Sequence, residues 1–216
     1  MALVAPSLLA ANFLKLEDEC KMVNESEADW FHLDVMDGQF VPNISFGPMI
    51  IDFVHRVAKK PCDVHLMILE PMRFAETFKK AGADHLIIHV ETCPDLDKNI
   101  EQIKALGMKP GVAINPATPL SALENILPAI HHVCLMTVEP GYGGQKFIPH
   151  TMDKIKQLRK MIDEKGLKTL IEIDGGVTVE NADSIMEAGA HVLVAGNTVF
   201  SAKDPMAVIS HLKKIG

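Results

Sequence analysis

The chain has 216 residues, 48% of them apolar and 23% charged, with 21 Lys+Arg against 28 Asp+Glu and a formal net charge of −7. These values exclude a disordered chain or a disulfide-stapled miniprotein and predict one globular domain that buries roughly 70% of its unfolded surface. No apolar run approaches the ~18–20 residues of a membrane span, and residues 1–14 lack the charged start of a signal peptide. The acidic balance gives no basic footprint for nucleic acid, so the expectation is a soluble, cytoplasmic protein with neither nucleic-acid nor membrane partners. Cys20, Cys62, Cys93 and Cys134 form no CxxC pair and read as reduced, mostly buried thiols.

In chain order, short β-branched runs predict strands at 4–9, 30–35, 63–68, 85–91, 109–115, 133–139, 169–174 and 191–196. Their starts lie 22 to 36 residues apart, room for one crossover helix each time, so neighbouring strands should pair in parallel. The segments between them carry helical stripes. Leu96, Ile100, Ile103 and Leu106 precede Gly107, and Ile155, Leu158 and Ile162 precede Gly166 at a C′ position. Asp204 and Pro205 make an N-cap and N1 pair for a last helix. Eight β/α units without a linker fit an α/β fold of the closed (β/α)8 TIM-barrel type, a single catalytic domain over residues 1–216.

In such a barrel chemistry sits at the C-terminal ends of strands. Strand two reads FHLDVMDG, putting His32 and Asp34 on one face; strand three carries His65 within DVHLM; strand seven ends EIDGG with Asp174 at its tip. A lone histidine in an apolar strand is more often a hydrogen-bonded core residue. Four ionisable groups at three strand ends instead suggest a functional cluster, because interior charge is costly unless paired or bound to a cation. Two imidazoles and two carboxylates suit one divalent ion of zinc, iron, manganese or cobalt better than calcium or magnesium.

Glycines crowd the late loops at EPGYGGQ (139–145), Gly175–Gly176 and AGNTVF (195–200), where backbone N–H groups and a short helix can hold a phosphate. Met36, Met67 and Met136 stand beside the polar positions. Of the remaining histidines, His55, His131, His132, His150 and His211 fall in inferred helices or loops and should be solvated. His85 and His191 open strands away from the site, and His89 has no partner legible in sequence.

Taken together, PSLLAAN (6–12), HLDVMDGQFVPNISFGP (32–48), DVHLM, HVE (89–91), MTVEPGYGGQKF (136–147), EIDGGV (172–177) and VAGNTVF (194–200) closely resemble the ribulose-phosphate 3-epimerase family. The resemblance implies an isomerase of the pentose phosphate pathway that interconverts D-ribulose 5-phosphate and D-xylulose 5-phosphate by two-base 1,1-proton transfer at C3, with a divalent metal ion and commonly as a homo-oligomer. It implies metal ligands at His32, Asp34, His65 and Asp174, with Asp34 and Asp174 also the acid/base pair. It further gives substrate contacts to Ser7 and His65, an apolar lining to Met36, Met67 and Met136, and a phosphate grip to Gly143, Gly144, Gly175, Gly176, Gly196 and Asn197. Asn197 stands where the family usually has Ser, Asn12 for Asp, Ala117 for Gly and Tyr142 for Phe.

The alternative within the same chemistry is a 3-epimerase of a six-carbon ketose phosphate such as allulose 6-phosphate. A barrel aldolase would need a Schiff-base lysine at a strand's C-terminal end, where none falls, and a metal-dependent hydrolase would need a metal-bound water left open. A non-catalytic sugar-phosphate binding barrel leaves Asp34 and Asp174 without a purpose.

Overall fold

Strands buried on both faces and joined by long crossovers have to pair in parallel and be covered by their own connections. The computed structural model, which describes residues 1–216, carries this to a ring of eight: β1 (Leu3–Pro6), β2 (Phe31–Met36), β3 (Cys62–Met67), β4 (His85–His89), β5 (Lys109–Ile114), β6 (His132–Met136), β7 (Leu170–Asp174) and β8 (Val192–Ala195). All are parallel in the order β1-β8-β7-β6-β5-β4-β3-β2. The last junction, β1 to β2, has no ladder and closes through one parallel bridge, Ser7 to His32. Below it Asp29 Oδ2 accepts from Val4 N–H at 2.8 Å, Asp29 N–H donates to the Val4 carbonyl at 2.8 Å, and Lys213 Nζ lies 2.6 Å from Asp29 Oδ1.

Several strands stop short of their hydrophobic runs. The first ends at Pro6 because Ser7 caps a 3-10 turn, its Oγ accepting from Leu9 N–H at 3.3 Å. The fourth ends at His89, where Val90–Thr92 turn, and the sixth runs from His132 to Met136.

Helices α1 (Leu16–Glu25), α2 (Pro48–Val57), α3 (Ala75–Ala81), α4 (Leu96–Ala105), α5 (Thr151–Glu164) and α6 (Ala182–Glu187) fill six crossovers, and α7 (Asn197–Phe200) and α8 (Pro205–Lys213) follow β8. A helix in every crossover does not survive: β5 and β6 are joined only by 3-10 turns at Leu120–Leu123 and Leu127–Ala129. Pro116, Pro119 and Pro128 explain this, since each lacks an N–H donor and bars a helical turn before it.

Period-two alternation then sorts side chains into two cores. Outward residues such as Phe31, Leu33, Val64, Leu66, Leu86, Ile88, Ile171 and Ile173 are fully buried in one apolar cluster with helix residues including Ile51, Ile100, Ile155 and Leu158. Many inward positions are polar: His32, Asp34, Asp63, His65, His85, His89, His132 and Glu172 are all buried. The expectation that His132 is solvated is therefore wrong; it opens β6 with its ring inside the barrel. Gly111, its register partner on β5, makes room for it, because a Cβ there would fall 2.5 Å from His132 Nε2.

The capping reading of Asp204 gives a stability test, since its Oδ1 accepts from Ala207 N–H at 3.0 Å with Pro205 at N1. Asp204→Ala should cost about 1 kcal/mol. Urea unfolding should show a lower midpoint with an unchanged slope.

Candidate active site

Four side chains from three strands meet at the C-terminal mouth. His32 Nε2 lies 3.3 Å from Asp34 Oδ1 and 3.7 Å from Asp174 Oδ2; His65 Nδ1 lies 3.2 Å from Asp34 Oδ1 and 3.3 Å from Asp174 Oδ2. One donor atom from each lies within 4.8 Å of all the others. The pleat explains the convergence: His32 and Asp34 share a face of β2, and the register sets Asp34 beside His65 on β3. Ser7, at the barrel seam, donates its hydroxyl to Asp34 Oδ2 at 2.5 Å.

Behind each imidazole stands a buried partner, an acid for His32 and a second imidazole for His65. Asp63 Oδ2 accepts from His32 Nδ1 at 2.8 Å, with Glu172 Oε1 at 3.2 Å from the same nitrogen. That bond holds Nδ1 as a donor and aims Nε2, which has no well-formed hydrogen bond of its own, at the two site carboxylates. On the other ring, His65 Nε2 is 2.8 Å from His89 Nε2, and His89 Nδ1 is 3.1 Å from Glu91 Oε2. The two imidazoles stack with centroids 5.0 Å apart. Burial pulls the His89 pKa down to about 4, so its Nε2 is an acceptor and His65 Nε2–H the donor.

A buried nitrogen without a well-formed hydrogen bond, a second imidazole turned to the same two carboxylates, and an outer partner behind each ring are what a divalent ion requires of its ligands and their supports. The donor set fits. Burial alone would lower the pKa of both histidines, but Asp34, Asp174 and, for His32, Asp63 outweigh it: His32 is raised well above the usual range and His65 to about 9. Conversely, burial would raise Asp34 and Asp174, and the facing imidazoles hold both below the ordinary carboxylate range.

Above the cluster opens a cavity of about 450 Å³ whose lining includes Ser7, Asp34 and Asp174 together with Met36, Met67 and Met136. Its rim contains Gly143, Gly144, Gly175, Gly176, Gly196 and Asn197. The backbone N–H groups of those five glycines make no hydrogen bond within the chain and so remain available to an anion. At Gly176 the constraint is strict, for φ is +66° and a Cβ would lie 2.2 Å from the Phe147 nitrogen. Tyr142 Oη donating to the Pro42 carbonyl at 2.7 Å and Asn43 Nδ2 to the Gly141 carbonyl at 2.8 Å tie the loops after β6 and β2 together beside the opening.

Every sequence-derived site residue falls at this mouth, either in the four-residue cluster or on the cavity wall. Reading the sequence missed Asp63, Glu172, His89 and Glu91. The signal for two of them was present, since Asp63–His65 and Glu172–Asp174 repeat the i, i+2 spacing of His32–Asp34. His89 was left without a partner because its partner, His65, is 24 residues away and is supplied by the β3–β4 pairing.

Fold and mouth together define a (β/α)8 barrel with a buried His/Asp cluster beneath a glycine-rimmed cavity at its C-terminal end. The chain belongs to the ribulose-phosphate 3-epimerase family, whose model matches residues 3–200. It is 50% identical to the ribulose-phosphate 3-epimerase of Bacillus subtilis over 99% of both chains. It is 49% identical to that of Synechocystis sp. (97% of this chain, 92% of the relative), and 50% identical to the chloroplastic ribulose-5-phosphate-3-epimerase of Arabidopsis thaliana (98% and 76%). Solved structures that share the fold include KGPDC from Streptococcus mutans, TM-score 0.73 at 14% identity over 99% of this chain and 96% of that one. Another is 3-hexulose-6-phosphate synthase from Salmonella typhimurium, TM-score 0.71 at 16% identity over 98% and 97%. No helix is long and apolar enough to cross a membrane.

A divalent ion entering the cluster must displace the protons that the carboxylates hold on His32 and His65. Ion binding at neutral pH should therefore release protons, and affinity should climb with pH through the region near 9 where His65 loses its proton. Calorimetry in buffers of different ionisation heat measures this; a pH-independent affinity contradicts it.

Proposed function

We propose that this chain interconverts D-ribulose 5-phosphate and D-xylulose 5-phosphate, with Asp34 and Asp174 as the two proton-transferring groups and a divalent ion held by His32, Asp34, His65 and Asp174. The observation that carries the reading is the meeting of two carboxylates, from β2 and β7, on the wall of a cavity rimmed by unpaired glycine N–H groups. A proton beside a ketone is too weakly acidic to leave at pH 7 unless the charge that develops is stabilised. A divalent ion held by His32, Asp34, His65 and Asp174 would act as a Lewis acid toward that developing charge and supply several kcal/mol of the stabilisation.

Inversion at C3 needs removal from one face and return to the other. Two fixed carboxylates accomplish this without either moving, and which acts as base depends only on direction. Ser7 holds Asp34 through Oδ2 while Oδ1 faces the imidazoles, so that carboxylate is aimed and kept ionised. Asp174 reaches the cluster through Oδ2 and keeps Oδ1 for the sugar. The buried Met36, Met67 and Met136 give the reacting carbon an apolar wall that excludes water. The phosphate is met by N–H groups at Gly143, Gly144, Gly175, Gly176 and Gly196, with Asn197 at the start of α7. The four buried free thiols support a reducing, cytoplasmic address.

Wild type should exchange the C3 hydrogen of ribulose 5-phosphate with solvent deuterium, and chelation should abolish this. Asp174→Asn should remain folded and lose at least 10²–10⁴-fold in epimerisation while exchanging C3 of only one of the two sugars. Near-normal turnover would remove Asp174 from the chemistry. A parallel assay with allulose 6-phosphate tests chain length, and faster turnover of that sugar would reassign the substrate.

A further inference from the structure

Epimerisation leaves three histidines at the opposite end of the barrel without a task. His85 opens β4, His132 opens β6, and His131 precedes it, with Gly111 of β5 between the two strands. Their ring centroids stand 5.1, 5.6 and 5.4 Å apart, a nearly equilateral triangle, and one nitrogen from each ring lies within 4.8 Å of the others. Three imidazoles around one ion at Zn–N distances of ~2.0–2.1 Å place their centroids roughly 5 Å apart. His131 Nδ1 and His132 Nδ1 face each other at 3.1 Å, so one proton or one cation must lie between the two lone pairs.

On two of the rings the nitrogen turned away from this point faces an acid. His85 Nδ1 is 3.3 Å from Asp63 Oδ1, and His132 Nε2 is 3.2 Å from Glu172 Oε2. Both nitrogens are buried and neither contact has good hydrogen-bond geometry, which leaves the network under-satisfied as it stands. A carboxylate behind a ligating imidazole fixes its tautomer and raises its basicity. Burial next to His132 and His85 takes the His131 pKa down to about 3, leaving that ring neutral. His131 is only half-buried, which gives an ion a way in from solvent.

We propose that His85, His131 and His132 form a second metal site, for a divalent ion of the zinc class, at the N-terminal end of the barrel. Three imidazole nitrogens select zinc, cobalt, nickel or copper over magnesium and calcium. The ion would clip β4 to β6 across β5. Its outer acids, Asp63 and Glu172, are the same two that stand behind His32.

Trp30, the only tryptophan, packs against all three rings at 4.6, 5.7 and 6.1 Å and is a built-in reporter. Metal-free protein is titrated with Co²⁺, following bound cobalt and Trp30 fluorescence, in wild type, His131→Gln and Asp174→Asn. Wild type should bind one equivalent more than His131→Gln, and Trp30 quenching should require at least tenfold more cobalt in that variant. Asp174→Asn, altered only at the upper cluster, should keep the quenching whether or not the upper cluster holds an ion. Equal cobalt content in wild type and His131→Gln, or loss of quenching in Asp174→Asn, overturns the proposal. Should His131→Gln fail to fold, a wild-type titration in which Trp30 is not quenched does so as well.

Discussion

The hydrogen bond from His32 Nδ1 to Asp63 governs more of this molecule than any other contact. A charge buried inside a strand barrel costs several kcal/mol unless matched, and removing one member of a buried pair typically costs about 3–5 kcal/mol because the other is stranded. Asp63 is fully buried, with one oxygen on His32 and the other facing His85 and His132, so three imidazoles depend on it. It also holds His32 Nδ1 as a donor, and through it sets which nitrogen faces the mouth. Orientation at the top of the barrel is therefore decided one layer down.

This arrangement inverts the usual division of labour. A barrel of this type is ordinarily filled by branched apolar side chains. Here the outward faces of the strands carry them instead, welded to the helices in one large cluster, while the inside holds ionisable groups from β2, β3, β4, β6 and β7. Stability and chemistry thereby occupy opposite faces of the same strands. A few apolar inward residues, among them Ile87, Ala113, Cys134 and Met136, separate the polar groups and keep water out.

Much of this was legible in the sequence, and the exceptions share a cause. Strand count, parallel pairing and the capped last helix follow from periodicity and from local pairs such as Asp204–Pro205, because each is set within a few residues. The four residues of the mouth were legible because His32 and Asp34 advertise a shared face and Asp174 sits at a strand tip beside two glycines. What escaped depends on register between strands. Nothing near His132 says that its ring enters the barrel, since the space comes from Gly111 on one neighbouring strand and the acid, Glu172, from the other. The crossover from β5 to β6 was misread for a different reason: its length suits a helix but its prolines do not.

The seam between β1 and β2 gives the barrel a weak line. Every other junction is a ladder, whereas this one has a single bridge, between Ser7 and His32 of the mouth, and the contacts of Val4 with Asp29 below it. Local opening in proteins follows such lines, and amide exchange is fastest where backbone pairing is thinnest. Any excursion that parts β1 from β2 disassembles the reacting constellation before it disturbs the apolar shell. Occupancy of the mouth pulls the other way, fastening the ring where it is least sewn. Seam and mouth thus draw on the same residues, so the thinnest pairing of the ring lies under the cluster at its opening.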